Sequence, residues 1–324
     1  MQLSIVVPVY KSRDCLPELA RRIQQEMSGR FHRYELILVN DDSPDTSWDV
    51  IVRLTEEYDF ITGVNLRKNA GQDNAIMAGL HYAHGEVVVI MDDDLQHDPA
   101  DIPSLYEAAQ NGFDVVYAHF NKKKQAFWKN LGSWFNDWIA VFVLGKPRHL
   151  YMSPYKALRR EVVDELIKYD GPYSYVDGLL FTITSNFMQI PAIHHERFAG
   201  KSNYNLMRSI AVWLKVATSF SAIPLRIATV VGGTISLSSF MIACFFVVKT
   251  LLGKGEPEGW PSLSVSIFFL GGIQLMGIGA IGEYIARIFI TQNKRPQFTV
   301  KAIHRSTRTP ETRHIHKSIP FALR

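Results

Sequence analysis

The sequence predicts an α/β domain, a mostly parallel sheet with helices on both faces, followed by interfacial amphipathic helices and a hairpin of two transmembrane helices. Three observations carry this. Strand-like and helix-like stretches alternate over residues 3–118, the pattern of a parallel sheet wrapped in helices. Residues 227–252 hold one formal charge, Lys249, and residues 261–282 hold none, so each run supplies the ~20 residues of helix that cross a hydrocarbon core. Charge is unevenly divided, with nine Lys/Arg and one acid in residues 285–324 against 26 basic and 30 acidic groups before them.

Residues 3–9 form a continuous run rich in β-branched side chains and open the sheet. Residues 16–27 follow with helical spacing, 34–40 is a second strand, and 46–58 is a helix whose start is marked by Asp45 or Thr46, both good caps. A short strand at 61–65 leads to a helix at 69–83, a buried strand at 86–91, a helix at 101–110 and a strand at 114–118. Ligands of such folds bind beyond the carboxyl ends of the strands. The residues there are polar: Tyr10, then Asn40-Asp41-Asp42-Ser43, then Asp92-Asp93-Asp94. This soluble domain is expected to span residues 1–205.

Residues 206–226 mix Met207, Ile210, Trp213 and Phe220 with Arg208, Lys215 and Arg226, as helices lying on the inner leaflet do; an ordinary amphipathic packing helix has the same pattern. A short loop, 253–260, separates the apolar runs, so both enter and leave a membrane unit of residues 227–284 on one side. Buried helices of a soluble core are the alternative, yet a domain of this size needs no 26-residue apolar helix. The loop is net acidic and the tail 285–324 is basic. That bias places the N-terminal domain and the tail in the cytoplasm. Residues 1–10 lack the basic start and apolar length of a cleavable signal.

A chain of 324 residues with 47% hydrophobic and 20% charged side chains is not disordered. Its two cysteines, Cys15 and Cys244, build neither a disulfide framework nor a Cys-x-x-Cys site. No G-x-G-x-x-G, G-x-S-x-G or H-E-x-x-H occurs, and Gly200-Lys201-Ser202 has His195 where a P-loop needs glycine. Hydride transfer, P-loop hydrolysis, serine-esterase and zincin chemistry are thereby set aside.

The acidic run after residue 91 is the sharpest signal. In an extended segment Asp92 and Asp94 point to one side, and two like charges so placed call for a shared cation. Oxygen ligands without Cys or His suit Mg2+ or Mn2+, which completes its shell with substrate phosphates. A cap for a helix starting near Pro99 is the structural alternative. Asp41 would line the same crevice.

Several stretches, taken in order, resemble one family: Ser4-Ile5-Val6-Val7-Pro8-Val9-Tyr10, Asn69-Ala70-Gly71-Gln72, Asp92-Asp93-Asp94-Leu95-Gln96, Gly200-Lys201-Ser202-Asn203-Tyr204, Pro224-Leu225-Arg226 and Gly282-Glu283-Tyr284-Ile285. The chain resembles the family 2 glycosyltransferases with the A-type fold. More closely, it is similar to the membrane-anchored polyprenyl-phosphate enzymes, relatives of dolichyl-phosphate mannose synthase and bacterial undecaprenyl-phosphate sugar transferases.

The resemblance implies inverting transfer of one sugar from a nucleotide donor, expected to be uridine-linked, to polyprenyl phosphate. By position it implies that Pro8, Tyr10 and Asp41 hold the base and ribose, with Asp41 accepting from a uracil-type N–H. Lys68, Asn69 and Gln72 would sit near the donor, although Asn69 is equally a helix cap. Asp92 and Asp94 become the catalytic nucleotide and metal carboxylates, with Asp94 ahead of Asp92 as direct ligand. Family habit adds a homo-oligomer.

Two departures stand out. Relatives often carry Asp-Asp-Gly-Ser where this chain has Asn40-Asp41-Asp42-Ser43, and no acid lies between Gly145-Lys146 and Glu161, where relatives place a catalytic base. A phosphate monoester, with its second pKa near 6, is already mostly a dianion. It needs no base, only positioning and stabilisation of the departing diphosphate. Arg197 and Lys201 are therefore the expected cationic catalytic residues of the acceptor site, with Lys156, Ser202 and Tyr204 beside them. Lys156 has a solvated surface position as its alternative, and Lys122, Lys123 and Lys124 could attract a diphosphate or simply be solvated. His194 and His195 would orient the loop or be structural. The basic tail, with Arg287, Lys294, Arg295 and Lys301, would hold the enzyme to anionic lipid; nucleic acid is not an expected partner, since no aromatic platform accompanies these charges. The competing functions are a transferase acting on a glycolipid or glycan hydroxyl, which would need a base, and an inactive membrane scaffold. Processive synthases carry a Q-x-x-R-W motif that this sequence lacks.

Overall fold

The computed structural model describes residues 1–120, 146–147, 150–172, 174–193, single positions between 225 and 252, 259–293 and 296–306. Met1–Asn136, Lys146–Ser202 and Pro296–Arg324 form one compact unit, and Asp137–Gly145 with Asn203–Arg295 form a second.

The first unit is built on one eight-stranded sheet of order β7-β5-β6-β4-β1-β2-β3-β8. Its strands are β1 (Leu3–Val9), β2 (Tyr34–Asn40), β3 (Ile61–Leu66), β4 (Val87–Ile90), β5 (Val115–Phe120), β6 (Lys156–Arg159), β7 (Phe187–Ala192) and β8 (Val300–Arg305). β1 runs parallel to β2 and β4, β2 to β3, and β5 to β7. β6 and β8 are antiparallel insertions. Because β6 opposes both β4 and β5, β5 points the same way as β4. The carboxyl ends of β1, β2, β4 and β5 thus share one rim.

The helices are α1 (Leu16–Met27), α2 (Ser47–Glu57), α3 (Gln72–Tyr82), α4 (Ile102–Gln110), α5 (Arg160–Leu166) and α6 (Val176–Ile183), with α7 (Trp260–Gln292) in the second unit. α1 buries Leu16, Leu19, Ala20, Ile23 and Met27, one helical stripe. They join Leu3, Ile5, Val7 and Val9 of β1 in the core. On the other sheet face Gly79 lets α3 approach closely, since a Cβ there would strike the side chains of Val6 and Val39.

The early elements lie where the sequence places them. α3 differs: it begins at Gln72 rather than Asn69, with Gly71 at φ 90 before it. Asn69 is therefore not the helix cap. The larger correction concerns the expected C-terminal tail. α7 continues to Gln292, and Val300–Arg305 is a strand pairing antiparallel with β3, Val64 opposite Ile303 and Gly63 opposite His304. Part of that stretch is thus sheet. The His304 Nδ1 bonds the Thr55 hydroxyl at 2.7 Å, and the Ser306 hydroxyl donates to Asp59 at 2.9 Å.

Among the described residues one helix, α7, is long and apolar enough to cross a membrane, through Phe269–Ala286 with mean hydropathy 1.3. Among the helical positions described between 230 and 248, Val230, Leu237, Met241 and Phe245 are exposed and apolar. Half of the expected first span, and all of residues 206–226 but Leu225, lie outside the described residues.

Candidate functional site

Three strand ends and one helix start are tied together at the rim. At the end of β2, Asp41 is 4% exposed. Its carboxylate accepts the Ala70 N–H at 2.6 Å through Oδ1 and the Gly71 N–H at 2.9 Å through Oδ2. The Asn69 side-chain amide donates to the Asp41 carbonyl at 3.1 Å. These bonds fix the loop that enters α3, and only the positive φ of Gly71 lets the chain make the turn cheaply. Burial raises the Asp41 pKa, outweighing the two N–H donors, and Asp42 adds to the rise.

After β4, residues 92–94 leave the sheet and form a turn. Their carboxylates take different partners. Asp92 Oδ1 accepts the Gln72 side-chain amide at 2.7 Å, Asp93 Oδ2 accepts the Tyr10 N–H at 3.1 Å, and Asp94 Oδ1 accepts the Gln96 N–H at 3.2 Å. Leu95 takes a left-handed φ of 61. Burial raises Asp93 to a pKa of about 6 against hydrogen bonds from Ser12 and the Tyr10 N–H, and neighbouring Asp94 pushes the same way.

β1 contributes buried Pro8 and exposed Tyr10, whose ring lies 5.3 Å from the Lys11 ammonium. The Lys11 N–H donates to Ser43 Oγ at 3.2 Å, which joins the end of β1 to the loop after β2. Lys68 is exposed on the same loop as Asn69. The structure therefore brings Tyr10, Asp41, Asn69, Gln72, Asp92 and Asp94 to one rim.

Lys156 is not in this group. It is 2% exposed in β6, its ammonium is bound to the Asp177 carboxylate, and the Tyr117 hydroxyl donates to the same oxygen at 2.9 Å. It is a buried, ion-paired group and not a solvated surface charge. The sequence could not reveal this, because Asp177 is 21 residues distant and meets Lys156 only through the fold. Arg197, Lys201, Ser202, Tyr204, His194, His195 and Lys122 to Lys124 lie outside the described residues.

One rim residue escaped the sequence reading: His97, 3% exposed, whose Nδ1 accepts the Asp92 N–H at 3.1 Å. Its position five residues after Asp92, between the acidic run and the next helix, was the available signal.

Among the described residues no three His, Cys, Asp or Glu side chains could hold a metal by themselves. Carboxylate oxygens at Asp92 and Asp94 nonetheless fit a hard cation of the Mg2+ type, which takes one or two protein carboxylates and completes its shell with phosphate oxygens.

Residues 4–167 match the family described as Glycosyl transferase family 2. The chain is 32% identical to the undecaprenyl-phosphate 4-deoxy-4-formamido-L-arabinose transferase of Klebsiella pneumoniae (strain 342), over 96% of this chain and 95% of that one. The protein of the same description from Pseudomonas syringae pv. syringae (strain B728a) is 31% identical over 98% and 95%. Among solved structures, the fold is similar to glucosyl-3-phosphoglycerate synthase from Mycobacterium tuberculosis in complex with uridine diphosphate, with a TM-score of 0.52 at 17% identity over 68% of this chain and 78% of that one.

Proposed function

This chain belongs to glycosyl transferase family 2, and from that premise we propose that it moves one sugar, with inversion, from a uridine diphosphate donor to undecaprenyl phosphate at the inner face of the cytoplasmic membrane. The observation that carries the reading is the bonded rim: Asp41 on Ala70 and Gly71, Gln72 on Asp92, and Tyr10 on Asp93. The two relatives, matched over nearly their whole length, are named for an undecaprenyl-phosphate acceptor.

Each rim residue then has a task. Tyr10 offers an exposed ring to the uracil, and Asp41 accepts from its N–H while holding the loop before α3. Gln72 fixes the orientation of Asp92, and with Lys68 and Asn69 it borders the diphosphate. Mg2+ or Mn2+, held by Asp94 and Asp92 with diphosphate oxygens, would supply Lewis-acid stabilisation of the leaving group. A lipid phosphate oxygen forms its bond to the anomeric carbon as the bond to the diphosphate breaks on the opposite face. The phosphate dianion supplies the electron pair without giving up a proton, which accounts for a chain with no acid between Lys146 and Glu161. Arg197 and Lys201, with Ser202 and Tyr204, would position that phosphate. α7 and the apolar run before it would anchor the chain in the membrane that holds the lipid acceptor.

The test is incubation of membranes holding the protein with labelled uridine diphosphate sugars and short-chain polyprenyl phosphate, with and without Mn2+. The 4-deoxy-4-formamido-L-arabinose donor belongs in the panel. A mild-acid-labile, lipid-linked sugar that disappears in Asp94→Ala is the expected product. Transfer to a glycan hydroxyl, or none with any donor, would overturn the reading.

A further inference from the structure

A buried histidine side chain, His97, is among the groups that hold the backbone after β4. Between Ile90, the end of β4, and Pro99, where a short 3-10 turn precedes α4, the chain bends back with Leu95 in left-handed conformation, which costs a non-glycine residue about 1 kcal/mol or more. Such a turn persists only when its surroundings over-determine it. The Asp92 N–H donates to His97 Nδ1 at 3.1 Å and closes the loop. A backbone N–H is always the donor, so Nδ1 must present its lone pair and the proton of the neutral ring sits on Nε2.

The ring is fixed by its neighbours. His97 stacks on Tyr155 at 4.9 Å and 13° and on Phe120 at 5.5 Å and 5°. The Tyr155 hydroxyl donates to the Asp98 carbonyl at 2.9 Å, and its N–H donates to Ser153 Oγ at 3.1 Å. Phe120 ends β5 and Tyr155 precedes β6, so two strands that supply no donor residue hold the carboxylate turn through this ring.

We infer that His97 is a positioning residue of the transfer site: its stacked ring presents Nδ1 to the Asp92 amide and sets the turn carrying Asp92 and Asp94 before the donor arrives. The inference rests on the proposed function only in treating this turn as the diphosphate site. Pre-set geometry matters because displacements of about 1 Å can remove about 100-fold in rate.

Two substitutions separate the bond from the stacking. His97→Asn keeps an acceptor near the Nδ1 position and loses the ring; His97→Phe keeps the ring and loses the acceptor. In full-length protein in detergent, amide exchange over residues 91–98 should stay slow in His97→Asn and speed up about tenfold in His97→Phe. Calorimetric titration with uridine diphosphate and Mn2+ should follow the same order, His97→Asn within about threefold of wild type and His97→Phe weaker by about tenfold. Thermal stability should rank the other way, because the stacked aromatic is retained only in His97→Phe. A merely structural histidine would give one ranking for all three measurements, and that result, or an undisturbed exchange pattern in His97→Phe, overturns the inference. If wild-type protein takes up no uridine nucleotide, the donor reading fails, and the exchange comparison still decides the role of His97.

Discussion

The side-chain amide of Gln72, first residue of α3, reaches the Asp92 carboxylate after β4 at 2.7 Å. Through it the loop anchored by Asp41 and the acidic turn become one hydrogen-bonded body. Gln72 is exposed, so Gln72→Ala should shift stability by less than about 0.5 kcal/mol. Donor KM should rise several-fold, since alanine no longer orients the Asp92 carboxylate. Gln72→Glu, which sets two carboxylates side by side, should be worse than alanine. Steady-state kinetics with varied donor would expose the error if the two variants ranked the other way.

Asp41 accepts from two backbone N–H groups with two different oxygens. Asn offers one oxygen, and its NH2 would face the remaining N–H. Asp41→Asn should therefore lose about 1–3 kcal/mol of unfolding free energy and bind donor more weakly still. Denaturant titration beside nucleotide titration reads both; unchanged stability would mean that the loop before α3 is held by other contacts.

Local signals in the sequence specify what local physics decides. β1, β2 and α1 carry their own hydrophobic pattern, and they form over the expected residues. α3 starts later than its pattern suggests, because Gly71 takes a left-handed φ of 90, in a loop whose Ala70 and Gly71 N–H groups are held by Asp41, a partner about 30 residues away. The rim itself was legible as a row of polar residues after strands, whereas the bonds of Asp92 to Gln72 and of Asp93 to the Tyr10 N–H were not, since partners 20 and 83 residues away meet them only through the fold. β8 was hidden because Val-Lys-Ala-Ile-His-Arg reads as basic tail until β3 pairs with it. Lys156 was hidden likewise, its partner Asp177 supplied by a helix beyond the next turn of chain.

The Lys156–Asp177 pair is closed by the Tyr117 hydroxyl, with the ammonium 5.2 Å from the Tyr117 ring. Removing one member leaves an uncompensated charge. Lys156→Met should destabilise by about 3–5 kcal/mol, and adding Asp177→Asn should recover part of it by removing that charge while leaving an acceptor for Tyr117. Unfolding midpoints of the single and double variants test this; a selective loss of lipid use without loss of stability would restore Lys156 to the acceptor site.

β8 covers the outer edge of β3. Deleting residues 300–306 uncovers that edge and strips Thr55 of its His304 partner, so the sheet should become prone to edge pairing as well as less stable. A lower melting temperature and concentration-dependent association, measured in detergent, are expected. If deletion weakened only adhesion to anionic lipid, the segment would be behaving as a tail.

Asp93 offers a test through pH. In chelator-treated protein its folded-state pKa of about 6 lies above the ordinary 3.8, with burial as the main cause. Below pH ~4 the folded and unfolded chains both hold the proton, and the group contributes no difference. As pH climbs from about 4 to about 6 the unfolded chain releases its proton first, so folding loses stability across that window and does not regain it above. Two units correspond to at most ~3 kcal/mol, and partial exposure reduces this to roughly 1–2 kcal/mol. Asp93→Asn keeps an oxygen for the Tyr10 N–H and carries no charge, so it should match wild type near pH 4 and exceed it by that margin at pH 7.5. Mn2+ should narrow the gap at pH 7.5 by stabilising the ionised turn. Melting curves at the two pH values decide the matter: a difference that stayed constant with pH would mean that the Asp93 carboxylate is solvated after all.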